Sequence, residues 1–332
     1  MRLAIVASGN DSGLGASYVR AANSLGHDAT LVPADELVAG GRGTALSRRL
    51  HAEMFVSRRL LQRLHNSLLK IRPSLVIVVK GRFMPRRWIE SLRASLDVPI
   101  LNYYPDHPLW PGYTDRRLRE ALFAYDEVLT WSENVAERLI DHGLQCVRVI
   151  PFAYDPVLYS ASSEAVEPRW DASLIGQYYP SRLPFVLAVA DHDLIVSGRG
   201  WRQGAARTPM KDRVQDRTYA GREICRIYWK SRAAFNILAP SNTQAHNMRT
   251  FEIPAARTVM IATRTPEHEA LFGEDGAILV DSPDEARFAL IALAEDSERR
   301  LAIAEEGHRR VSGHTYSERM ALLLDKWNDR VQ

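Results

Sequence analysis

Short apolar, β-rich runs recur along this chain with amphipathic segments between them, and that alternation restricts it to parallel α/β architectures more firmly than any other feature. Leu3-Ala4-Ile5-Val6-Ala7 is the first run, apolar at every position as a strand buried on both faces should be. A helical stretch from Ser17 to Leu25 follows, and Asp28 to Val32 reads as the second strand. The cycle continues with a long amphipathic segment from Ser47 to Leu69, a strand at Leu75 to Val79, a helix at Arg86 to Leu96 and a strand at Pro99 to Tyr103. Glu120 to Tyr125 reads as helix, Glu127 to Trp131 as strand, Asn134 to Asp141 as a helix closed by Gly143, and Val147 to Ile150 as strand. Neighbouring parallel strands need crossovers, and helices between strands supply them, so the pattern predicts a doubly wound sheet.

The pattern breaks once. After Pro151-Phe152-Ala153-Tyr154-Asp155-Pro156 comes a polar stretch, Ser160 to Pro168, without periodicity, which reads as an interdomain linker. A second alternation then runs through Ala172 to Gly176, Leu194 to Gly198, Ala234 to Leu238, Val259 to Ala262 and Ala277 to Val280. It ends in three helical segments, Pro283 to Leu293, Glu298 to Val311 and Tyr316 to Trp327. The 332 residues exceed one ordinary core and divide into two Rossmann-like doubly wound domains, residues 1–158 and 169–312. Residues 313–332 are expected to form a C-terminal helix that packs back towards the N-terminal domain.

Composition removes several function classes. Cys146 and Cys225 lie far apart, with no CxxC or histidine spacing beside them, so neither a disulfide framework nor a structural zinc site is expected. The apolar run near Met1 is too short for a secretory signal or a membrane span, which predicts a cytoplasmic protein. A net charge of +3 suits anionic ligands and is too small to imply nucleic acid. Between Arg42 and Lys70, arginines 48, 49, 58, 59 and 63 surround Leu50, Phe55, Leu61, Leu64 and Leu68. A core helix with a solvated face is the ordinary reading; peripheral contact with an anionic membrane, for a lipid-linked acceptor, is the other.

Two loops attract chemistry. Gly9-Asn10-Asp11-Ser12-Gly13-Leu14-Gly15 joins the first strand to a helix, where amides around Gly13 would face an anion. Its GxxxGxG spacing matches short-chain dehydrogenases, but those need a YxxxK pair and no tyrosine here has lysine four residues on. The denser constellation is Asn236 through Glu252, which includes Gln244, Asn247, Arg249, Thr250 and Glu252. It sits between a buried-looking strand and an apolar helix, Phe251 to Ala256, at the edge where open α/β sheets bind ligands. Helix-start amides and Arg249 would neutralise a diphosphate, and Glu252 would accept hydrogen bonds from ribose hydroxyls. Gly198-Arg199-Gly200-Trp201 ends another strand, with Arg199 a second basic candidate and Trp201 placed to pack near a nucleotide. Asp191-His192-Asp193 mimics a metal-binding DxD but precedes its strand, and reads as a turn.

Asn247-Met248-Arg249-Thr250-Phe251-Glu252-Ile253-Pro254-Ala255, then Glu267 to Phe272 and Ile278-Leu279-Val280, resembles the C-terminal signature of CgeB-like spore-maturation glycosyltransferases, relatives of glycosyltransferase family 4. Tyr125-Asp126, Gly143, Pro151-Phe152-Ala153, Gly176 with Arg182, Tyr228 to Asn236, and His314-Thr315-Tyr316 with Arg319 extend the resemblance over residues 100 to 328. It implies a GT-B fold, two such domains facing across a cleft, with a nucleotide-sugar donor in the C-terminal domain, no required metal or other cofactor, and retention of configuration. It also implies that Gly176 lets the backbone approach the donor phosphates and that Arg182 reaches them. The family's Glu, seven residues, Glu pattern keeps its second member as Glu252, while Gln244 replaces the first. An amide still bonds a sugar hydroxyl but cannot stabilise positive charge at the anomeric carbon. Asn102 to Pro108 resembles the family's Asp-containing loop, where Asp106 or His107 would act as general base towards an acceptor hydroxyl.

The expected activity is therefore metal-independent transfer of a hexosyl group from a nucleoside-diphosphate sugar to a hydroxyl acceptor. The alternatives are a non-catalytic GT-B-like subunit that binds a nucleotide or a partner, and a sugar-nucleotide epimerase on the same fold.

Overall fold

The computed structural model describes residues 1–34, 58–82, 84–110, 116–242 and 244–328. In chain order the first elements are β1 (Arg2–Ala7), α1 (Leu14–Ser24), β2 (Asp28–Pro33), α2 (Arg58–Ile71), β3 (Leu75–Val79), α3 (Arg86–Leu96), β4 (Ile100–Tyr103), α4 (Arg116–Leu122), β5 (Glu127–Thr130), α5 (Glu133–Asp141) and β6 (Val147–Val149). Next come β7 (Trp170–Ile175), α6 (Leu183–Ala188), β8 (Leu194–Ser197), α7 (Trp201–Gly204), β9 (Val214–Gln215), α8 (Arg222–Trp229) and β10 (Ser231–Asn236). The remainder are α9 (Arg249–Ala255), β11 (Val259–Thr263), α10 (Pro266–Phe272), β12 (Ile278–Val280), α11 (Pro283–Glu295), α12 (Ser297–Val311) and α13 (Tyr316–Asn328). Arg48, Arg49, Leu50 and Phe55 of the basic amphipathic segment lie outside the described residues.

The chain forms two units, Met1–Pro151 with Tyr316–Gln332, and Phe152–Thr315. Each holds one six-stranded sheet, ordered β2-β1-β3-β4-β5-β6 in the first and β12-β11-β10-β7-β8-β9 in the second. Every strand pairing is parallel. Leu3, Ala4 and Ile5 of β1 and Leu75, Val76 and Ile77 of β3 are fully buried, as continuous apolar runs predict when helices cover both faces of a sheet.

Counted from its own first strand, the second sheet reads 3-2-1-4-5-6. Crossovers leave β7 in one direction towards β8 and leave β10 in the other towards β11. The carboxyl ends of β7 and β10 therefore border a topological switch point, where the outgoing loops part and leave a crevice.

Helix α13 packs on α1 in the first unit, with Tyr316 edge-on to Tyr18 at 5.4 Å between ring centroids. Beneath it Glu127, its side chain 2% exposed, accepts hydrogen bonds from Lys326 Nζ at 2.6 Å, Arg148 Nη2 at 2.8 Å and Trp327 Nε1 at 3.3 Å. Burial works to raise the Glu127 pKa; the bonds and charges of Lys326 and Arg148 outweigh it and hold the carboxyl below its ordinary value.

Candidate functional site

Arg182 and Arg249 meet at the switch point of the second sheet. Arg182, in the single 3₁₀ turn before α6, donates from Nε to the carbonyl of Ile237, just past β10, at 2.7 Å, and from Nη1 to the carbonyl of Gln177, just past β7, at 2.6 Å. Arg249, first residue of α9, donates from Nε to the carbonyl of Ile175, last residue of β7, at 3.3 Å. Its Nη1 pairs with the carboxylate of Glu252, and the Tyr159 side chain lies near enough to couple electrostatically to the guanidinium. Each arginine thus bridges elements that the strand order brings together at one edge.

Their electrostatics differ. Burial works against the charge of Arg249, but Glu252 overcomes this and holds its pKa above the ordinary value. Arg182 has no carboxylate partner among the described residues, and burial lowers its pKa to about 10; the Arg249 charge pushes the same way and Tyr179, with its ring 5.1 Å from the guanidinium, opposes. Two guanidiniums and one carboxylate leave one net positive charge in partly desolvated surroundings, which suits an anion.

Gly176 and Gly198 make the edge approachable. Gly198 has φ +145°, and a Cβ there would collide with the Gly176 carbonyl; a Cβ on Gly176 would come within 2.9 Å of Arg182 Nη1. Arg199 is exposed and donates to Gln177 Oε1 at 2.9 Å. Trp201, read from the sequence as a nucleotide neighbour, is instead fully buried, with Nε1 donating to the Gly176 carbonyl at 2.8 Å. The indole satisfies its only polar atom inside the protein and packs in the core of the unit.

The start of α9 is held by a network that the sequence did not reveal. Asn236, buried at the end of β10, donates from Nδ2 to Thr250 Oγ1 at 3.1 Å and accepts from Asn247 Nδ2 at 2.8 Å. Asn247 Oδ1 accepts from the Thr250 amide at 3.2 Å, and Thr250 Oγ1 accepts from the Asn247 amide at 3.3 Å. These two amides, expected to face a diphosphate, are capped by side chains instead. The Nδ1 of His268 faces the Thr263 carbonyl at 2.8 Å and so carries the ring proton, which leaves Nε2 to accept from the Thr250 hydroxyl at 2.9 Å. Burial lowers the His268 pKa to about 4, so the ring is neutral.

His246 holds the other side of the loop. Its Nδ1 pairs with Glu267, and its Nε2 accepts from the Phe152 amide at 3.1 Å. Gln244, two residues before it, is exposed. Partner separations of 94 residues for His246 and 18 for the His268 bond to Thr250 explain why no local pattern announced either histidine.

In the first unit, Gly13 caps α1, its amide donating to the Asn10 carbonyl at 2.8 Å. The loop leaves β1, which pairs with β2 on one side and β3 on the other, so Gly13 stands at that sheet's own switch point. Beyond β4, Asp106 pairs with Lys80 Nζ at 2.8 Å. The buried His107 accepts the Leu109 amide on Nδ1 at 3.3 Å, which places the ring proton on Nε2, and Nε2 meets no acceptor among the described residues. Burial, helped by Arg138, lowers its pKa. His107 in this tautomer carries its ring proton on Nε2; the sequence reading offered Asp106 or His107 as the general base.

Asp191 of the DxD-like triplet forms a two-pronged pair with Arg287, at 2.5 Å and 2.7 Å, as a structural turn would. Among the described residues no helix is long and apolar enough to cross a membrane.

Residues 182–325 match the model of a family described as glycosyl transferase-like, so the matched stretch begins at Arg182 and includes Arg249 and Glu252. No curated protein matches the chain. Among solved structures, sucrose-phosphate synthase from Thermosynechococcus elongatus has a TM-score of 0.72 at 14% identity, covering 99% of this chain and 98% of that one. HepE of Anabaena, in complex with UDP and glucose, has a TM-score of 0.69 at 13% identity, covering 99% of this chain and 100% of its own. An α,α-trehalose-phosphate synthase (UDP-forming) from Burkholderia vietnamiensis has a TM-score of 0.64 at 13% identity, with coverages of 99% and 100%. Two six-stranded parallel sheets flanked by helices are the fold of these GT-B glycosyltransferase structures, and this chain shares it.

Proposed function

We propose that the protein transfers a glycosyl group from a nucleoside-diphosphate sugar to a hydroxyl acceptor, with the donor diphosphate at the β7 and β10 edge of the second unit. One observation carries this reading: Arg182 is desolvated, fixed by two carbonyls, unpaired with any carboxylate among the described residues, and set beside Arg249 at the switch point. A cation held in this way gains most from a ligand whose negative charge grows during reaction, as it does on a departing diphosphate. The glycosyl transferase-like match over Arg182 to Asp325 supports the reading, and the neighbours crystallised with UDP make uridine the first base to try.

In this reading Arg182 takes the phosphate charge, and the Arg249–Glu252 pair keeps the α9 start in register with β7. Gly176 and Gly198 admit the donor backbone, Arg199 flanks it, and Gln244 bonds a sugar hydroxyl. Asp106 receives the acceptor proton, and the buried His107 braces the loop that carries it through the Leu109 amide. Arginines supply the positive charge at the leaving group, so the proposed reaction is metal-independent, with a hexosyl group transferred and configuration retained.

Calorimetric titration with uridine, guanosine, thymidine and adenosine diphosphate sugars tests the donor site, and release of nucleoside diphosphate with and without acceptors tests turnover. The proposal expects binding that Arg182→Ala removes, then acceptor-dependent release of the diphosphate and an anomeric proton of retained configuration in the product NMR spectrum. No binding at millimolar donor would refute it. Binding without turnover would instead indicate a nucleotide-binding subunit, and conversion of the donor sugar without acceptor an epimerase.

A further inference from the structure

The first unit carries a second basic site, away from Asp106 and His107. Helices α3 and α4 hold six arginines against two glutamates, Glu90 and Glu120. Arg86, Arg116, Arg119, Glu120, Phe123 and His142 line one pocket of about 490 Å³ between α3, α4 and the end of α5.

The arginines are available. Among the described residues, Arg86 and Arg116 pair only with glutamates one turn along their own helices, Glu90 and Glu120, each at 2.7 Å and with both members solvent-accessible. Such pairs contribute little and exchange readily for a better anion. Arg119 has no ion pair among the described residues. Arg86 and Arg87 also open α3, where the helix dipole disfavours cations and the first turn holds no acidic residue. Phe123, 44% exposed, stands at the far side with its ring 6.2 Å from that of His142. Three guanidinium forks outnumber the two carboxylates, Glu90 and Glu120, that pair with them, and match a phosphate, whose several oxygens each accept a charge-assisted bond. The Phe123 ring and the arginine stems then suit an apolar portion attached to that phosphate.

We propose that this pocket binds the phosphate of an organic phosphate ester, with Arg86, Arg116 and Arg119 on the oxygens and Phe123 against the group that bears it. The site is independent of the donor reading. Phenyl phosphate, glycerol 3-phosphate, and vesicles of phosphatidylglycerol with phosphatidylcholine are the probes. They are offered to the whole chain carrying Arg182→Ala, so that the donor edge is silenced.

Binding that survives Arg182→Ala and falls at least tenfold when Arg116→Gln and Arg119→Gln are added supports the proposal. Capture of the soluble probes identifies a free phosphate ester as the source, and capture of the anionic vesicles alone identifies a lipid headgroup. Absence of binding by every probe, or binding that the two substitutions leave unchanged, overturns it. Arg116 is exposed, so the fold should persist; the single variant Arg119→Glu, checked by circular dichroism, repeats the test at one position with the same change of charge.

Discussion

Arg249 and Glu252 close an ion pair across the first turn of α9, and the same guanidinium reaches the carbonyl at the end of β7. The pair is therefore a joint between helix and strand before it is anything else. Removing one member leaves the other charge buried and uncompensated, at a cost of about 3–5 kcal/mol. We expect Arg249→Met and Glu252→Gln each to lower the melting temperature strongly, and the double variant to lower it by less than their sum. A double-mutant cycle on thermal unfolding reads this directly, and strict additivity would deny the coupling.

Arg182 is expected to behave in the opposite way. With no carboxylate to strand, Arg182→Ala should cost less stability than either change at the pair and should weaken donor binding, since a hydrogen bond to a charged group contributes about 1.5–3 kcal/mol, or roughly 10- to 100-fold in affinity. Arg182→Lys keeps the charge but cannot bond both the Ile237 and Gln177 carbonyls in the same fork, so it should recover only part of the affinity. Calorimetry with UDP on the three proteins ranks them; equal affinities would remove Arg182 from the site.

His268 sets a pH dependence of stability. Its folded pKa of about 4 lies below the ordinary 6.5, so between those values the unfolded chain binds a proton that the folded one refuses. Its contribution is complete above pH 6.5 and falls away as pH drops towards 4, by about 3 kcal/mol in all. Urea unfolding across that interval should show the slope, and His268→Phe, less stable at neutral pH, should flatten it.

Glu127 acts in a lower window. Its carboxyl is held below the ordinary 4.5, so the stability it contributes is present above that value and is lost as pH falls further. Glu127→Gln should lower the melting temperature at pH 7 by several degrees, because it leaves Arg148 and Lys326 without their shared partner. The same substitution should reduce the fall of stability below pH 4.5, and parallel curves for the two proteins would contradict this.

How far the sequence foretold the molecule depended on whether a feature was local. β3 and α3 lie where their apolar runs predicted, at Leu75–Val79 and Arg86–Leu96, because buried parallel strands and amphipathic helices write their periods into adjacent residues. β9 escaped notice, since Val214–Gln215 is too short to carry a period. The residues gathered around α9 were visible as a polar cluster, but their division of labour was not. Asn247 and Thr250 cap each other's amides, and Trp201, which follows Gly200 in a loop-like stretch on paper, turns into the core. Tyr159 reaches Arg249 from a segment that gave no sequence signal. The placements of Trp201 and Tyr159 are facts of tertiary structure, with partners tens of residues away.

Helix α13 completes a unit whose other residues end at Pro151, with the whole of 152–315 synthesised in between. On the ribosome the first sheet must therefore wait, Tyr18 and the Glu127 carboxylate uncovered, until the other unit has emerged. A nascent or proteolysed fragment that stops before Tyr316 keeps every strand of that sheet yet lacks its closing piece.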